Sequence, residues 1–330
     1  MASNNTAAPS GEGSVDEVLH EFGIVRVYKS GRVERPLVAP PVAAGLDAAT
    51  GVESRDVQLG AYSVRLYLPP AAAAAPGSAS RLPIIVYVHG GGFVAESAAS
   101  PGCHRFVNTL AAACPALAVS VEYRLAPEHP LPAAYDDSLA ALKWTLAASD
   151  PWVAAHGDLG RVFAAGDSAG ANICHYLAVH PDIVNNAAAG RRLKGAVLIH
   201  PWFWGSEAVG GEPSHPAARA MGARLWLFAC PGADGGMDDP RMNPMAPGAA
   251  PALGAMACER VMVCVAEHDF LKWRGRAYAE AVAAARGAEG SGSVELMETE
   301  GEGHVFYVFK PDGDKAKAMV DRIVSFVNAP

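Results

Sequence analysis

The stretch VFAAGDSAGAN, residues 162–172, places a serine between a strand-like and a helix-like segment. Residues 162–166 are apolar or small, as in a buried strand, and residues 169–179 suit a helix. Between them, GDSAG (166–170) is a G-x-S-x-G pattern in the strand–turn–helix context of a catalytic serine, here Ser168. The glycines fit because so tight a turn leaves no room for Cβ atoms. Because chance gives about 0.2 such matches in this chain, the pattern alone is weak evidence.

Strand-like and helix-like segments alternate along most of the chain, which predicts a parallel sheet covered on both faces. The predicted strands are 54–58, 63–68, 82–88, 116–123, 161–165, 195–200, 260–266 and 294–298. The predicted helices are 103–113, 132–149, 169–180, 272–288 and 314–327. No helix separates the first two strands, so we expect them to form an antiparallel edge. The sequence therefore predicts one doubly wound α/β domain over residues 1–330.

Four segments fall outside this alternation. Residues 1–15 are predicted to be a disordered tail, and the low-complexity residues 71–80 a long hairpin loop at the surface. Residues 16–50 and 203–256 carry no alternating pattern, and the second of these is rich in glycine, proline, methionine and aromatic residues. A long insertion of this kind is usually functional. We therefore expect both segments to form a lid or the wall of a pocket.

A second glycine-rich motif follows the predicted strand 82–88. It reads HGGGF (89–93), and four-residue matches to its HGGG core are expected only about 0.01 times by chance in this chain. Consecutive residues without Cβ atoms allow backbone N–H groups to converge on a developing oxyanion. We interpret His89 as a structural support for this loop rather than as a base.

A serine hydroxyl needs a base to become a nucleophile at neutral pH. The histidines that follow Ser168 are His175, His180, His200, His215, His268 and His304. His175 and His180 lie on the helix that Ser168 begins. His200 precedes every plausible acid, and His268 adjoins the acid candidates too closely to face them. His304 follows the last predicted strand in the pliable loop GEGH (301–304), which makes it the predicted base.

The base in turn needs an acid that orients it. The buried strand-like stretch VMVCVAEHD (261–269) ends with two candidates, Glu267 and Asp269. Asp269 lies further past the strand end and is preferred, with Glu267 as the alternative. Asp167, next to the serine, is expected to brace the turn or cap the following helix.

Composition excludes several classes of function. The formal net charge of −8, with no basic run, argues against nucleic acid as a partner. The start MASNNTAAPSGEGSVDE has neither the basic nor the apolar region of a signal peptide, and no uncharged stretch reaches membrane-spanning length. The six cysteines form no C-x-x-C pair, so we expect reduced thiols, no metal site and a cytoplasmic location.

The motifs together resemble the hormone-sensitive-lipase-type branch of the α/β-hydrolases. The resemblance rests on five motifs: YRLAPEHPLPAAYDD (123–137), HGGGF, GDSAGAN, the AEHDFLK loop and GHVF. Within that branch, the chain resembles the plant carboxylesterases in two N-terminal stretches, VYKSGRVERP (27–36) and LDAATGVESRDV (46–57). It implies an eight-stranded mixed sheet, no cofactor, and a lid from the N-terminal segment and part of the 203–256 region.

The resemblance also implies roles for individual residues. The nucleophile, acid and base are Ser168, Asp269 and His304. The oxyanion donors are the backbone N–H groups of Gly91, Gly92 and Ala169. Arg124 is expected to pair internally with Glu128. Where the family often has a second acidic residue in the acid loop, this chain has Trp273.

The predicted function is the hydrolysis of short-chain carboxylic esters of small molecules, with an aromatic or glycosidic alcohol suggested by the resemblance. Candidates for the apolar pocket wall, each equally compatible with the core, are Phe93, Trp202, Phe203, Trp226, Phe270 and Val305. The partner is a small-molecule ester, and the protein is expected to be a monomer or homodimer. The alternatives are a dehydratase, which tends to have threonine at the nucleophile position, and a non-catalytic hormone receptor, which lacks the catalytic histidine.

Overall fold

A computed structural model describes residues 16–70, 81–188, 192–287 and 293–330 of the chain. The chain divides into two structural units. The first ends at Val38 and the second spans Ala39–Pro330. In the first unit, three short strands form an antiparallel sheet: β1 (Val18–Glu21), β2 (Arg26–Tyr28) and β3 (Val33–Glu34). The predicted disordered tail, residues 1–15, lies outside the described residues, and the single-domain boundaries and the N-terminal lid stay predictions.

In the second unit, eight strands of the described chain form one mixed sheet. They are β4 (Glu53–Leu59), β5 (Tyr62–Leu68), β6 (Leu82–Val88), β7 (Leu117–Glu122), β8 (Gly157–Asp167), β9 (Leu193–Ile199), β10 (Cys258–Ala266) and β11 (Val294–Thr299). The order across the sheet is β11-β10-β9-β8-β6-β7-β5-β4. Neighbours are parallel except that β5 pairs antiparallel with both β4 and β7. The predicted eight-stranded mixed sheet with an antiparallel edge is confirmed.

The predicted hairpin between β5 and β6 is wrong. Strand β7 lies between these two strands and pairs with both, antiparallel to β5 and parallel to β6. Strands β5 and β6 are therefore not hydrogen-bonded neighbours in the sheet. Its residues 71–80 lie outside the described residues.

Helices cover both faces of the sheet. They are α1 (Pro101–Ala113), α2 (Ala133–Leu146), α3 (Pro151–His156), α4 (Ala169–Val179), α5 (Pro181–Ala188), α6 (Pro216–Ala229), α7 (Pro251–Gly254), α8 (Lys272–Arg286), α9 (Phe306–Phe309) and α10 (Asp314–Asn328). Cys264 and Ala266 of β10 belong to the core cluster that α1 and α10 form with the sheet. Val265 lies instead against Gly275 of α8. Since successive side chains of a strand point to opposite faces, the two helix layers lie on opposite sides.

None of the helices in the described ranges combines the length and the apolar character that crossing a membrane requires. The two longest elements, α8 and α10, have 15 residues each. Each contains five charged residues.

The insertion 203–256 is held to the sheet domain by a buried cluster of charges. The Glu212 carboxylate accepts hydrogen bonds from Arg274 Nε at 2.8 Å and from Arg219 Nη1 at 3.1 Å. All three side chains are at most 8% exposed. Arg219 lies on α6 within the insertion, whereas Arg274 lies on α8. The cluster therefore ties the insertion to the helix that follows the predicted acid loop.

The carboxyl ends of the parallel strands gather the predicted site. HGGGF follows β6, Ser168 follows β8, and the acid and base loops follow β10 and β11. These strands are neighbours or next neighbours in the sheet, with β9 between β8 and β10. Their loops therefore meet at one edge, the usual place for a site in an open α/β sheet.

Candidate active site

Ser168 occupies a strained turn between β8 and α4. Its φ of 52° and ψ of −115° lie outside the regions that a residue with a Cβ atom favours. Its N–H donates to the Ile199 carbonyl at 2.9 Å, and its carbonyl accepts from the Trp202 N–H at 3.1 Å. A Cβ atom at Gly170 would collide with the Val88 carbonyl oxygen. The surrounding backbone thus holds the serine in a conformation that costs energy, as at many functional sites.

The side chains of Ser168, His304 and Asp269 form a hydrogen-bonded row. His304 Nε2 lies 3.0 Å from Ser168 Oγ, and His304 Nδ1 lies 2.6 Å from Asp269 Oδ2. Since a carboxylate accepts only, Nδ1 carries the proton and leaves the Nε2 lone pair facing the serine hydroxyl. Three residues separated by up to 136 positions in sequence are therefore placed for proton transfer from the hydroxyl.

Burial and hydrogen bonds act in opposite directions on Asp269. Its burial favours the neutral acid, but the hydrogen bond and charge of His304 and the N–H of Leu271, 2.9 Å from Oδ1, lower its pKa below the ordinary value. Asp269 is consequently a carboxylate at neutral pH, and it accepts the hydrogen bond from His304 Nδ1.

The alternative acid, Glu267, faces another partner. Its Oε2 accepts the N–H of Gly301 at 2.7 Å, and this hydrogen bond lowers its pKa. Glu267 therefore braces the loop that carries His304, while Asp269 contacts the imidazole itself.

Two free amides lie in the loop after β6. Gly91 and Gly92 have φ of 99° and 64°, and a Cβ atom at Gly91 would overlap the Ala95 carbonyl oxygen. The Gly90 N–H is already used, since it donates to Asp167 Oδ1 at 3.1 Å. Within the described chain, no acceptor pairs with the N–H of Gly91 or Gly92. These amides are available to an incoming negative charge.

The third predicted donor, Ala169, begins α4, where N–H groups have no partner within the helix. The N-terminus of α4 also carries a partial positive charge. A group beside Ser168 Oγ therefore meets a helix end that favours negative charge.

Two further side chains support the loop after β6. The Tyr123 hydroxyl donates to the carbonyls of His89 and Gly90 at 2.9 and 3.0 Å, and its ring stacks on His89 at 4.2 Å. His89 Nδ1 lies 2.8 Å from the Gly90 carbonyl, and burial lowers the pKa of His89 to about 4. These contacts are those expected of a structural support, the role predicted for His89.

The predicted pocket residues fall into two groups. Phe93, Phe203 and Trp226 have no accessible surface, so they belong to the core; Phe93 packs on Trp202 and Trp226 with ring centroids 5.6 and 6.2 Å apart. Trp202 is 6% exposed. Phe270, which is 55% exposed, and the partly buried Val305 adjoin Asp269 and His304 in sequence and stay candidates for a pocket wall.

Two contacts extend the expectation. Arg124 forms a two-pronged ion pair with Asp137, at 2.9 and 2.8 Å, and its expected pair with Glu128 stays a prediction. Trp273 lies against Gly210 and Gly211 of the insertion, where any Cβ atom would meet the indole ring at 2.7 and 2.5 Å. The residue that departs from the family pattern thus packs on the insertion.

Sequence reasoning missed His200, which follows β9. Its ring centroid lies 5.6 Å from that of His304, and its Nδ1 accepts the Val305 N–H at 2.8 Å. Nitrogen and oxygen atoms of His200, Asp269 and His304 lie within 4.8 Å of one another, a spacing that a metal ion could bridge. Because these groups already bind each other or Val305, a metal would have to displace those bonds. The positive φ of His200 was not visible in the sequence.

Comparisons with known proteins identify related chains. A family model described as the alpha/beta hydrolase fold matches residues 85–308. The chain is 42% identical over 306 residues to tuliposide A-converting enzyme 1, chloroplastic, of Tulipa gesneriana, covering 91% of this chain and 75% of that one. It is 42% identical over 308 residues to probable carboxylesterase 2 of Arabidopsis thaliana, covering 92% and 93%.

Two further similarities bear on activity. The chain is 40% identical over 342 residues to a 2-hydroxyisoflavanone dehydratase of Glycyrrhiza echinata, covering 99% of this chain and 100% of that one. Among solved structures, the carboxylesterase EstE1 from a metagenomic library has a TM-score of 0.65 at 25% identity, covering 87% of this chain and 90% of that one.

Proposed function

The chain belongs to the α/β-hydrolase fold family and is a carboxylic ester hydrolase, and we propose that it cleaves short-chain esters of small molecules through an acyl-enzyme on Ser168. The observation that carries the proposal is the row Ser168–His304–Asp269, with contacts of 3.0 and 2.6 Å. A serine with a base at hydrogen-bond distance, and a base with an orienting carboxylate, is the arrangement of nucleophilic catalysis.

In the acylation step, His304 Nε2 takes the hydroxyl proton while Ser168 Oγ attacks the ester carbonyl carbon. The carbonyl oxygen becomes an oxyanion, which the N–H groups of Gly91, Gly92 and Ala169 stabilise. Asp269 stabilises the charged imidazole. His304 then returns the proton to the leaving alcohol oxygen as the C–O bond breaks, which leaves the acyl group on Ser168.

Deacylation repeats these steps with water as the nucleophile. His304 takes a proton from water, hydroxide adds to the acyl carbon, and the oxyanion again faces the free amides. Collapse of the intermediate returns the proton to Ser168 Oγ and releases the carboxylic acid. Every proton that leaves a nucleophile reaches a leaving group through His304.

The exposed Phe270 and the partly buried Val305 support an apolar contact for the substrate near the acid and base loops. The name of one relative, probable carboxylesterase 2, supports a carboxylic ester as the substrate class. We propose a short acyl chain on an aromatic or glycosidic alcohol.

The test is hydrolysis of p-nitrophenyl acetate, butyrate and a long-chain ester by the wild type and by Ser168→Ala. We expect activity on the short esters, and a loss on the order of 10⁵-fold in the variant. Ser325→Ala, an exposed serine on α10, is the matched control and should retain full activity. A folded wild type that is inert on all three esters would refute the proposal for simple esters.

The relative from Glycyrrhiza echinata supports a second candidate, the elimination of water from a 2-hydroxyisoflavanone. The serine at position 168 favours acyl transfer over this reaction. Assaying the wild type on both substrate classes separates the two candidate functions, because a dehydratase would convert the 2-hydroxyisoflavanone faster than the esters.

We also propose a cytoplasmic location. All six cysteines lie in the described ranges and each is a free thiol, which suits a reducing compartment. A fluorescent fusion in plant cells tests the location. Accumulation in plastids, which the names of the Tulipa relatives specify, would overturn it.

A further inference from the structure

Val305, the residue after the proposed base, has an unfavourable backbone conformation. Its φ and ψ of 46° and 35° place it in the left-handed helical region. A β-branched residue there is a genuine outlier, and the conformation costs about 1–3 kcal/mol. Some contact of the folded protein must therefore hold Val305 in this conformation, and that contact also constrains His304, which directly precedes it in the chain.

His200 makes that contact. Its Nδ1 accepts the Val305 N–H at 2.8 Å, and its ring lies among His304 and Phe306, with centroids 5.6 and 5.8 Å away. The residue is 1% exposed and has a positive φ of 48° of its own. Its N–H donates to the Cys264 carbonyl at 2.8 Å, which fixes it to the neighbouring strand β10.

The same short segment holds the nucleophile. Ile199, just before His200, accepts the Ser168 N–H at 2.9 Å, and Trp202, two residues after it, donates to the Ser168 carbonyl at 3.1 Å. Residues 199–202 are thus bonded to the backbone of the serine and to the backbone next to the base. The segment thus connects the backbone of the serine with the backbone that follows the base.

We propose that His200 is a positioning residue that holds Val305 in its left-handed conformation and thereby aims His304 at Ser168. The inference rests on the proposed function, since it assigns His304 as the base. Because Nδ1 accepts a hydrogen bond, the ring proton of His200 is on Nε2. Burial and the neighbouring His304 lower the pKa of His200 to about 3, so it is uncharged at neutral pH and acts by geometry alone.

The test compares three substitutions at this position. In His200→Asn the side-chain oxygen occupies the place of Nδ1 and keeps the acceptor for Val305. His200→Gln moves the acceptor by one methylene, and His200→Leu removes it at similar volume. We expect kcat within about fivefold of wild type for asparagine, but about 100-fold lower for glutamine and leucine, with KM changed little.

A buried histidine remote from the reacting atoms controls for general destabilisation. His175 on α4 is 4% exposed and lies 2.9 Å from the Tyr278 hydroxyl through Nδ1. His175→Leu should lower the melting temperature but leave kcat near the wild-type value at a temperature where the protein is folded. If asparagine, glutamine and leucine at position 200 lower kcat equally, or none lowers it, the proposal is wrong.

Val305→Gly provides a second test that does not depend on the stability of one variant. Glycine adopts the left-handed conformation without strain, so it needs the His200 contact less. The loss of kcat caused by His200→Gln should therefore be at least about tenfold smaller in the Val305→Gly background than in the wild type. An equal loss in both backgrounds would overturn the proposal.

The rate at which a fluorophosphonate labels Ser168 separates this inference from the proposed function. If the wild type is inert on esters, the proposed function fails, yet labelling still reports whether the base activates the serine. Slower labelling of the glutamine and leucine variants, with normal labelling of the asparagine variant, would support the positioning role in that case. Equal labelling of all four proteins would refute it.

Discussion

The hydroxyl of Tyr87 donates a 2.6 Å hydrogen bond to Oδ1 of Asp167, the residue immediately before the nucleophile. The same oxygen accepts the Gly90 N–H at 3.1 Å. Asp167 therefore connects the nucleophile turn to the loop that presents the free amides, and it does not cap α4. Its carboxylate is buried, with Tyr87 and Gly90 as its hydrogen-bond partners.

Asp167→Asn should change how the free energy of unfolding depends on pH. Burial raises the pKa of Asp167 from 3.8 to about 6, so between these values the folded protein holds a proton that the unfolded chain has released. Stability from this group is full below pH 3.8 and is lost as the pH rises to about 6. Between pH 3.8 and about 6, the free energy of unfolding should fall by about 3 kcal/mol more for the wild type than for the variant.

Urea unfolding of both proteins at pH 4 and pH 7 measures this difference. Groups that titrate identically in both proteins cancel in the comparison. Parallel pH dependences would show that Asp167 titrates with an ordinary pKa.

Asp269→Asn and Glu267→Gln should separate the two carboxylates by activity. Asparagine at position 269 can donate to His304 and so favour the wrong tautomer, which should lower kcat about 10⁴-fold. Glutamine at position 267 still accepts the Gly301 N–H, so kcat should stay within about threefold of wild type. Steady-state kinetics on p-nitrophenyl butyrate measures both, and a larger loss at position 267 would reverse the assignment.

Gly91→Ala should disrupt the loop of free amides. Its φ of 99° is unfavourable for alanine, and the added methyl group would overlap the Ala95 carbonyl oxygen. We expect kcat to fall at least about 100-fold, the usual effect of losing one oxyanion donor. Gly232→Ala is the control, because a Cβ atom there has no neighbour within 4 Å; comparable losses in both variants would contradict the interpretation.

Glu212→Gln should destabilise the protein by about 3–5 kcal/mol, since it removes the negative charge that is hydrogen-bonded to the buried guanidinium groups of Arg219 and Arg274. Glu280→Gln removes the same charge from an exposed position on α8 and should change stability by less than about 0.5 kcal/mol. Chemical denaturation measures both. Equal stabilities would mean that the insertion is held by contacts other than this cluster.

The sequence predicted most strands within a few residues because each carries a local signal, a short apolar run next to a helical pattern. Strand β8 is longer than predicted, Gly157–Asp167 instead of 161–165, since its polar beginning gives no such signal. The small antiparallel sheet of the first unit was missed because its strands are too short to show a pattern. Its strands have only two to four residues.

The sequence by itself determined the nucleophile turn and the glycine loop, because the need for residues without Cβ atoms is local to GDSAG and HGGGF. It also restricted the base to His304, since only that histidine follows both acid candidates in a glycine-rich loop. These conclusions depend on residue type and on order along the chain.

Only the tertiary structure shows that Asp269, and not Glu267, contacts the His304 imidazole. The two carboxylates are separated by one residue, and their distances to His304 depend on how the ends of β10 and β11 are placed. The role of His200 likewise appeared only in three dimensions, because its partner Val305 lies 105 positions away. Hydrogen bonds act over about 3 Å in space, and the packing of the sheet sets which distant residues come that close.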